Sequence, residues 1–286
     1  MKARVYDMDN ILLRETAARI EGFLGDALDA LTLERAVLGL FFTGVKLSDG
    51  SGGLCFTPVK DIPQAVCCPS EAKAMPLSGS LRDRPARACL EDLFHENILR
   101  RTLAIAALNA LSASCWKSGI ERGSYSLETG VDAFDVIDLK PGQKTVVVGA
   151  LVPLLKKLLA AGAEFRVLEQ DVSTLKPREM PFYLPPERAP EVVPQADILV
   201  ITGATILNGT LLGLLALARK DAGIFVAGPT ASMLPDSFFS HGVSCMGGVM
   251  VTKPDELLDV IGEAGSGYHF FGKFAERLII RRGRTG

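Results

Sequence analysis

Glu169 follows Gly149 by twenty residues in the stretch TVVVGALVPLLKKLLAAGAEFRVLEQD, residues 145–171. In nucleotide-binding α/β folds, an acid at that distance from a strand-ending glycine accepts hydrogen bonds from ribose hydroxyls. A carboxylate at this point could also act as a general acid or base, and a solvated acid at a strand end fits equally well. A second group is TGATILNGT, residues 202–210, in which Asn208, Gly209 and Thr210 precede the apolar run LLGLLALA. Asn208 or Thr210 can cap that helix and leave its first amides open to an anionic group. In the third, GPT, Gly228 and Pro229 force a rigid turn that presents the hydroxyls of Thr230 and Ser232. Asn109 sits inside the small-residue run AIAALNAL. Its amide needs hydrogen-bond partners, either main-chain groups in a packed core or a ligand at a domain junction.

Other chemistries fail on spacing. Leu151 and Leu154 stand where the dinucleotide fingerprint wants glycines, and Pro153 removes an amide from the helix start. No GxSxG elbow supplies a hydrolase nucleophile. The run GYHFFGK, residues 267–273, matches GxxxxGK, but Phe274 replaces the magnesium-binding Ser or Thr and no buried strand is expected before it. Lys273 could still reach an anion. The six cysteines, at 55, 67, 68, 89, 115 and 245, include no CxxC pair, which suits reduced thiols. Adjacent Cys67 and Cys68 could clasp a soft metal, and His241 and Cys245 could share one, but Gly242 between the latter two argues against a helical ligand pair. No metal ligand is assigned, and the cofactor is left unidentified.

Periodicity supplies the elements that must position these groups. Residues 10–31 read as an amphipathic helix, and the following alternation around a Gly/Ser/Asp cluster at 48–53 as two antiparallel strands. The glycines at 50, 52 and 53 fit turn chemistry or contact with a ligand. Residues 59–85 read as loop and 88–117 as one long or broken helix. From residue 145 strands and helices alternate. The strands are expected at 145–149, 164–169, 196–201, 223–227 and 243–251, and the helices at 152–161, 210–220, 235–240 and 254–263. That rhythm implies a parallel sheet, with ligands at the carboxyl ends of its strands. The Pro-rich stretch 177–194 reads as an extended loop along one edge. A Gly- and Pro-containing connection places a boundary near residue 130, giving a smaller α+β unit at 1–130 and an α/β unit at 131–286.

Composition narrows the partners. The chain has 286 residues, 48% of them hydrophobic, enough for substantial cores. A formal charge of −2 from 31 basic and 33 acidic residues gives no field to attract nucleic acid or an anionic membrane. The longest apolar runs are far short of the roughly 20 residues that span a bilayer, and acids occupy the place of a signal peptide's apolar segment. A cytoplasmic protein with a small-molecule partner is expected, and the broad apolar face of residues 98–111 leaves room for a homodimer.

The runs VVVGALVPLLKKL, ITGATILNGTLLGLL and VAGPTASMLPDSFFSHGVSCMGGVMVTKPDELLDVI, with AIAALNAL upstream, resemble the bacterial and archaeal family described as a putative heavy-metal chelation domain. The likeness covers most of the chain and is weakest at residues 1–85 and 170–195. The resemblance implies an enolase N-terminal-like α+β domain joined to a Rossmann-like, methyltransferase-similar domain, with a cleft between them. It also implies a role in making or handling metal-chelating small molecules. Carried over by position, the site residues are Asn109, Gly149, Pro153, Gly203, Asn208, Gly209, Thr210, Gly228, Pro229 and Thr230. Thr230 stands where the family usually has Ser and keeps the hydroxyl.

The resulting expectation is an enzyme of small-molecule metabolism with its site in the interdomain cleft, acting on a pterin-, flavin- or siderophore-like compound. Asn208, Thr210 and Thr230 would orient anionic or carbonyl groups. Glu169 would hold a ribose or move a proton, and Asn109 would contribute from the other domain. The alternatives are a non-catalytic binder of a metal or metal complex and an S-adenosylmethionine-dependent methyltransferase-like protein.

Overall fold

The computed structural model describes residues 2–62, 74–123 and 125–283, with side chains from Ile11 onward. Among them the first helix, α1, is Lys2–Leu24, followed by a 3-10 turn at Gly25–Ala30. Strands β1 (Leu33–Leu38), β2 (Phe42–Leu47) and β3 (Gly52–Phe56) form an antiparallel three-stranded sheet in that order. Two strands were expected here. The third arises because the chain turns at residues 39–41, where Gly39 packs too close to the helix at Pro254–Gly262 for a side chain: an added Cβ would lie 2.4 Å from the Ile261 carbonyl oxygen.

The long helical stretch is broken into α2 (Ala86–Leu90), a 3-10 turn and α3 (Ile98–Lys117). Asn97 begins α3, its Oδ1 accepting from the amides of Leu99 and Arg100, both at 3.1 Å. From Leu103 to Leu111 every residue of α3 is at most 1% exposed. The run AIAALNAL is rich in small residues because β3 lies directly on this helix. A Cβ on Gly53 would meet the Ala106 carbonyl oxygen at 2.2 Å and the Ala110 amide nitrogen at 2.3 Å. Gly52 and Gly53 therefore belong to a strand rather than a turn, and serve close packing. The apolar face at 98–111 is covered within the chain, so it offers no dimer surface.

The larger sheet has eight strands in the order β4-β11-β10-β9-β8-β5-β6-β7. They are β4 (Tyr125–Thr129), β5 (Lys144–Val148), β6 (Glu164–Leu168), β7 (Tyr183–Leu184), β8 (Ile198–Thr202), β9 (Gly223–Ala227), β10 (Cys245–Val251) and β11 (Ala275–Arg282). The strands from β10 across to β7 run parallel, and β11 and β4 add antiparallel pairing at one edge. The intervening helices are α4 (Val152–Ala161), α5 (Ala189–Val192), α6 (Ala204–Asn208), α7 (Leu211–Leu217), α8 (Asp236–Ser240), α9 (Pro254–Gly262) and α10 (Gly267–Phe270). Pro153 starts α4, and Gly162 ends it at φ 60° in the left-handed conformation that favours glycine. The chain is thus mixed α/β, as its alternation implies. The stretch 177–194 is not simply a loop: it carries the edge strand β7 and a series of short helical turns.

One core runs through both sheets' neighbourhoods. It joins Leu103, Ile105 and Leu108 of α3 with Leu199 and Ile201 of β8, Met233, Phe238 and Met246. On the other face of the large sheet, Leu154, Leu155 and Leu158 of α4 pack on Phe165, Val167 and Val200. Polar ties reinforce the joint: Lys46 of β2 bonds Asp255 at 2.7 Å, and Arg35 of β1 bonds Asp259 at 2.6 Å, both partners on α9. Among the described residues, no helix is long and apolar enough to cross a membrane.

Candidate functional site

The strand order reverses between β5 and β8. From β5 the chain moves outward through β6 to β7, then returns to the other side of β5 for β8, β9 and β10. In an open parallel sheet such a reversal leaves a crevice beyond the carboxyl ends of the two central strands, because their connections leave on opposite faces. Gly149 and Thr202–Gly203 stand at those ends.

Three glycines let the turns approach one another. Gly149 has φ 94°, and a Cβ there would lie 2.8 Å from Thr202 Cγ2. A Cβ on Gly203 would come within 3.3 Å of the Ala231 nitrogen and Thr230 Cβ, and Gly228 has φ 135°. The Gly203 amide donates to the Ala227 carbonyl at 2.8 Å, and that of Gly228 to Gly247 at 2.8 Å. Gly149, Gly203, Gly228, Pro229 and Thr230 are thus brought together. The turn after β5 is no pyrophosphate cradle. The Leu151 amide already donates to Gly149 and the Val152 amide to Ala150, both at 2.9 Å, and Pro153 has none.

Two expected ligand contacts prove to be joinery. Asn109 is 1% exposed, and its Nδ2 donates to the carbonyls of Leu54 at 2.6 Å and Thr230 at 3.1 Å. Facing carbonyl oxygens fix which end of the amide is nitrogen. Its Oδ1 is buried without a hydrogen-bond partner. Thr230, also 1% exposed, accepts the Phe56 amide at 3.0 Å on Oγ1. Ser232 donates to the Pro229 carbonyl at 2.7 Å and accepts the Val249 amide at 2.8 Å. These residues fasten β3 and α3 to the turn after β9.

Asn208 and Thr210 also differ from expectation. Asn208 closes α6 rather than opening α7, and its Oδ1 accepts from the Thr210 amide at 3.2 Å and Thr210 Oγ1 at 2.7 Å. Thr210 precedes α7 but makes no side-chain cap. Gly209, at φ 75°, supplies the left-handed residue between two short helices. The sequence reading placed a loop at 202–210 and a helix at 210–220; the chain forms α6 within that loop and a shorter α7 after it, and neither Asn208 nor Thr210 caps α7 with its side chain.

The crevice's charged side carries Glu169, Asp171 and Lys60. Glu169 is partly exposed, and its Oε1 accepts the Asp171 amide at 2.8 Å. Asp171 pairs through Oδ2 with Lys60 Nζ and through Oδ1 with Ser173. The Lys60 hydrogen bond draws the Asp171 carboxyl down to about 2, and Asp171 in turn raises the Lys60 ammonium. Lys60 lies in the turn after β3, so this pair links the small-sheet side to the loop after β6. Phe56 and Val59, each 40% exposed, lie in the same segment. Sequence reasoning missed Lys60, which lies 111 residues from its partner. Asp171, two residues beyond Glu169, was within reach of it.

A heavy-metal ion would need accessible thiolate, imidazole or carboxylate donors that converge. Cys55, Cys89, Cys115 and Cys245 are all buried, and desolvation pushes their thiols up to about 12, 11, 12 and 11. Metals bind thiolate, which these sites disfavour. His95 Nδ1 accepts the Asn97 amide, His241 Nδ1 lies 2.8 Å from the Ser237 carbonyl, and His269 Nδ1 accepts the Ser266 amide. Among the described residues no three His, Cys, Asp or Glu side chains converge. A directly ligated heavy-metal ion does not fit this donor set. The Cys67–Cys68 pair lies outside the described residues.

Residues 132–280 match a family model described as putative heavy-metal chelation. The chain belongs to that family. A second model with the same description matches residues 22–112. The chain is similar to an uncharacterized protein of Methanocaldococcus jannaschii, 28% identical over 182 residues, which are 62% of this chain and 64% of that protein. Two solved structures of family members with unknown function share the fold. The one from Pyrococcus horikoshii has a TM-score of 0.74 at 20% identity, covering 94% of this chain and 99% of that one. The one from Desulfitobacterium hafniense has a TM-score of 0.69 at 20% identity, covering 95% and 98%.

Proposed function

We propose that the chain binds a polar, metal-chelating small molecule, or its metal complex, in the crevice beyond β5 and β8, between a Rossmann-like unit and an enolase N-terminal-like unit. The observation that carries this reading is the strand-order reversal with Gly149 and Gly203 at its two edges and Glu169 beside it. Main chain and one carboxylate oxygen are left to face a ligand, while Phe56 and Val59 supply an apolar wall. The family's heavy metal then arrives already complexed, consistent with a protein whose described thiols are protonated. The pterin-, flavin- or siderophore-like chemistry of the ligand belongs to this proposal.

Catalysis on that molecule is the second reading. Glu169 favours it, because one of its oxygens has no described partner and could accept a proton or a ribose hydroxyl. Lys60 and Asp171 are each held in their charged forms by their pair, which suits positioning better than proton transfer.

Mass spectrometry of small molecules released by heat from the purified chain tests both readings. The expected result is an organic chelator from the wild type and a reduced amount from Glu169→Ala. Stoichiometric metal with no organic compound overturns the binding reading. A released compound that the protein leaves unchanged on prolonged incubation overturns the catalytic one.

A further inference from the structure

A surface pocket of about 390 Å³, open to solvent on one side, lies away from this crevice, between the end of α9, α10 and the turn leading into β11. Its lining includes Glu263, His269 and Lys273 together with Val260 and Phe274. The motif GYHFFGK, which failed as a phosphate loop, contributes two of these groups.

Their hydrogen-bonding roles are set by what surrounds them. The His269 ring accepts the Ser266 amide on Nδ1 at 3.0 Å, so the neutral ring carries its proton on Nε2 and offers a donor there. Among the described residues, the Lys273 ammonium and the Glu263 carboxylate have no ion-pair partner. The wall beside them is firmly built: a Cβ on Gly265 would lie 2.3 Å from Val260 Cγ1, and the Gly265 amide donates to the Val260 carbonyl at 2.8 Å. The cavity thus offers one cation, one neutral donor, one anion and an apolar surface. A phosphate would gain Lys273 but meet Glu263, whereas a small zwitterion satisfies both charges.

We infer that this cavity is a binding site for an α-amino acid with an aliphatic side chain. The carboxylate lies toward Lys273 and His269, the ammonium toward Glu263, and the side chain against Val260 and Phe274.

Isothermal titration of the full chain with L-valine, L-leucine and L-methionine tests this, with 4-methylpentanoate and 3-methylbutylamine as analogues lacking one charge. Saturable binding of at least one amino acid is expected, weakened at least about tenfold in each analogue and in Glu263→Gln and Lys273→Met. Those two positions are exposed, so both variants should melt like the wild type. Glu169→Ala should leave the titration unchanged, which separates this site from the crevice. The proposal is overturned by no saturable heat up to ~10 mM, by an analogue binding as tightly as its parent, or by indifference to both variants.

Discussion

The main-chain amide of Phe56 donates to Thr230 Oγ1 at 3.0 Å, joining residues 174 apart in sequence. Two residues before it, the Leu54 carbonyl accepts from Asn109, which also bonds the Thr230 carbonyl. One strand of the small sheet, the central helix and the turn after β9 therefore meet through two side chains. The rim of the crevice depends on that junction.

Thr230→Val keeps the volume but removes the acceptor, leaving the Phe56 amide unpaired. Urea denaturation should show a loss of about 1–3 kcal/mol, whereas Thr230→Ser should lose less because the oxygen remains. Equal losses from both would show that packing, not the hydrogen bond, matters here.

Replacing Asn109 by alanine removes the donor from two buried carbonyls and leaves a cavity. The expected cost is about 2–4 kcal/mol. Asn109→Ser should not restore it, because the shorter hydroxyl cannot serve both carbonyls. A change below ~0.5 kcal/mol would be inconsistent with the contacts described.

Gly149→Ala combines a positive φ with a clash against Thr202. A cost of about 1–3 kcal/mol is expected from the backbone conformation alone, with the clash added. Trimming the neighbour with Thr202→Ser should recover only the steric part. The double-mutant cycle should therefore show coupling between these positions.

Asp171 has its carboxyl lowered to about 2 by Lys60, so the pair's contribution is present above the unfolded value of 3.8 and lost as pH falls toward 2. Both side chains are exposed, and the effect on overall stability should be small and salt-sensitive. Carbon-detected NMR titration should place the Asp171 midpoint near 2 and show it rising in Lys60→Ala. An unchanged midpoint in that variant would remove the ion pair from the account.

Burial also predicts inert thiols. Brief alkylation of the folded chain at pH 8, followed by peptide mass mapping, should leave Cys55, Cys89, Cys115 and Cys245 unmodified, and all four should react after unfolding. Rapid native labelling of any of them would contradict its raised pKa.

The alternating half of the fold was legible because its strands are apolar runs with glycine or proline at their ends. Residues 223–227 and 152–161 match β9 and α4 end to end. Strands β4 and β11 were missed for opposite reasons. YSLET is short and largely exposed, while AERLIIRR follows a false phosphate-loop motif that drew attention to its glycines. The close approach of the strand-end turns was legible in the glycines at 149, 203 and 228. The segment around Asn208 and Thr210 was misread, because ATILN looks like loop yet forms a single helical turn that Asn208 closes, and neither side chain caps the helix that follows. Lys60 carried no local signal, since its partner is supplied only by tertiary structure.

The enclosure of α3 also bears on how the molecule comes into being. Its residues 103–111 pack partly on Met233, Phe238 and Met246, which leave the ribosome more than a hundred residues later. Until then the nascent first half holds a greasy helix with part of its covering unmade, a surface that invites chaperones or premature aggregation.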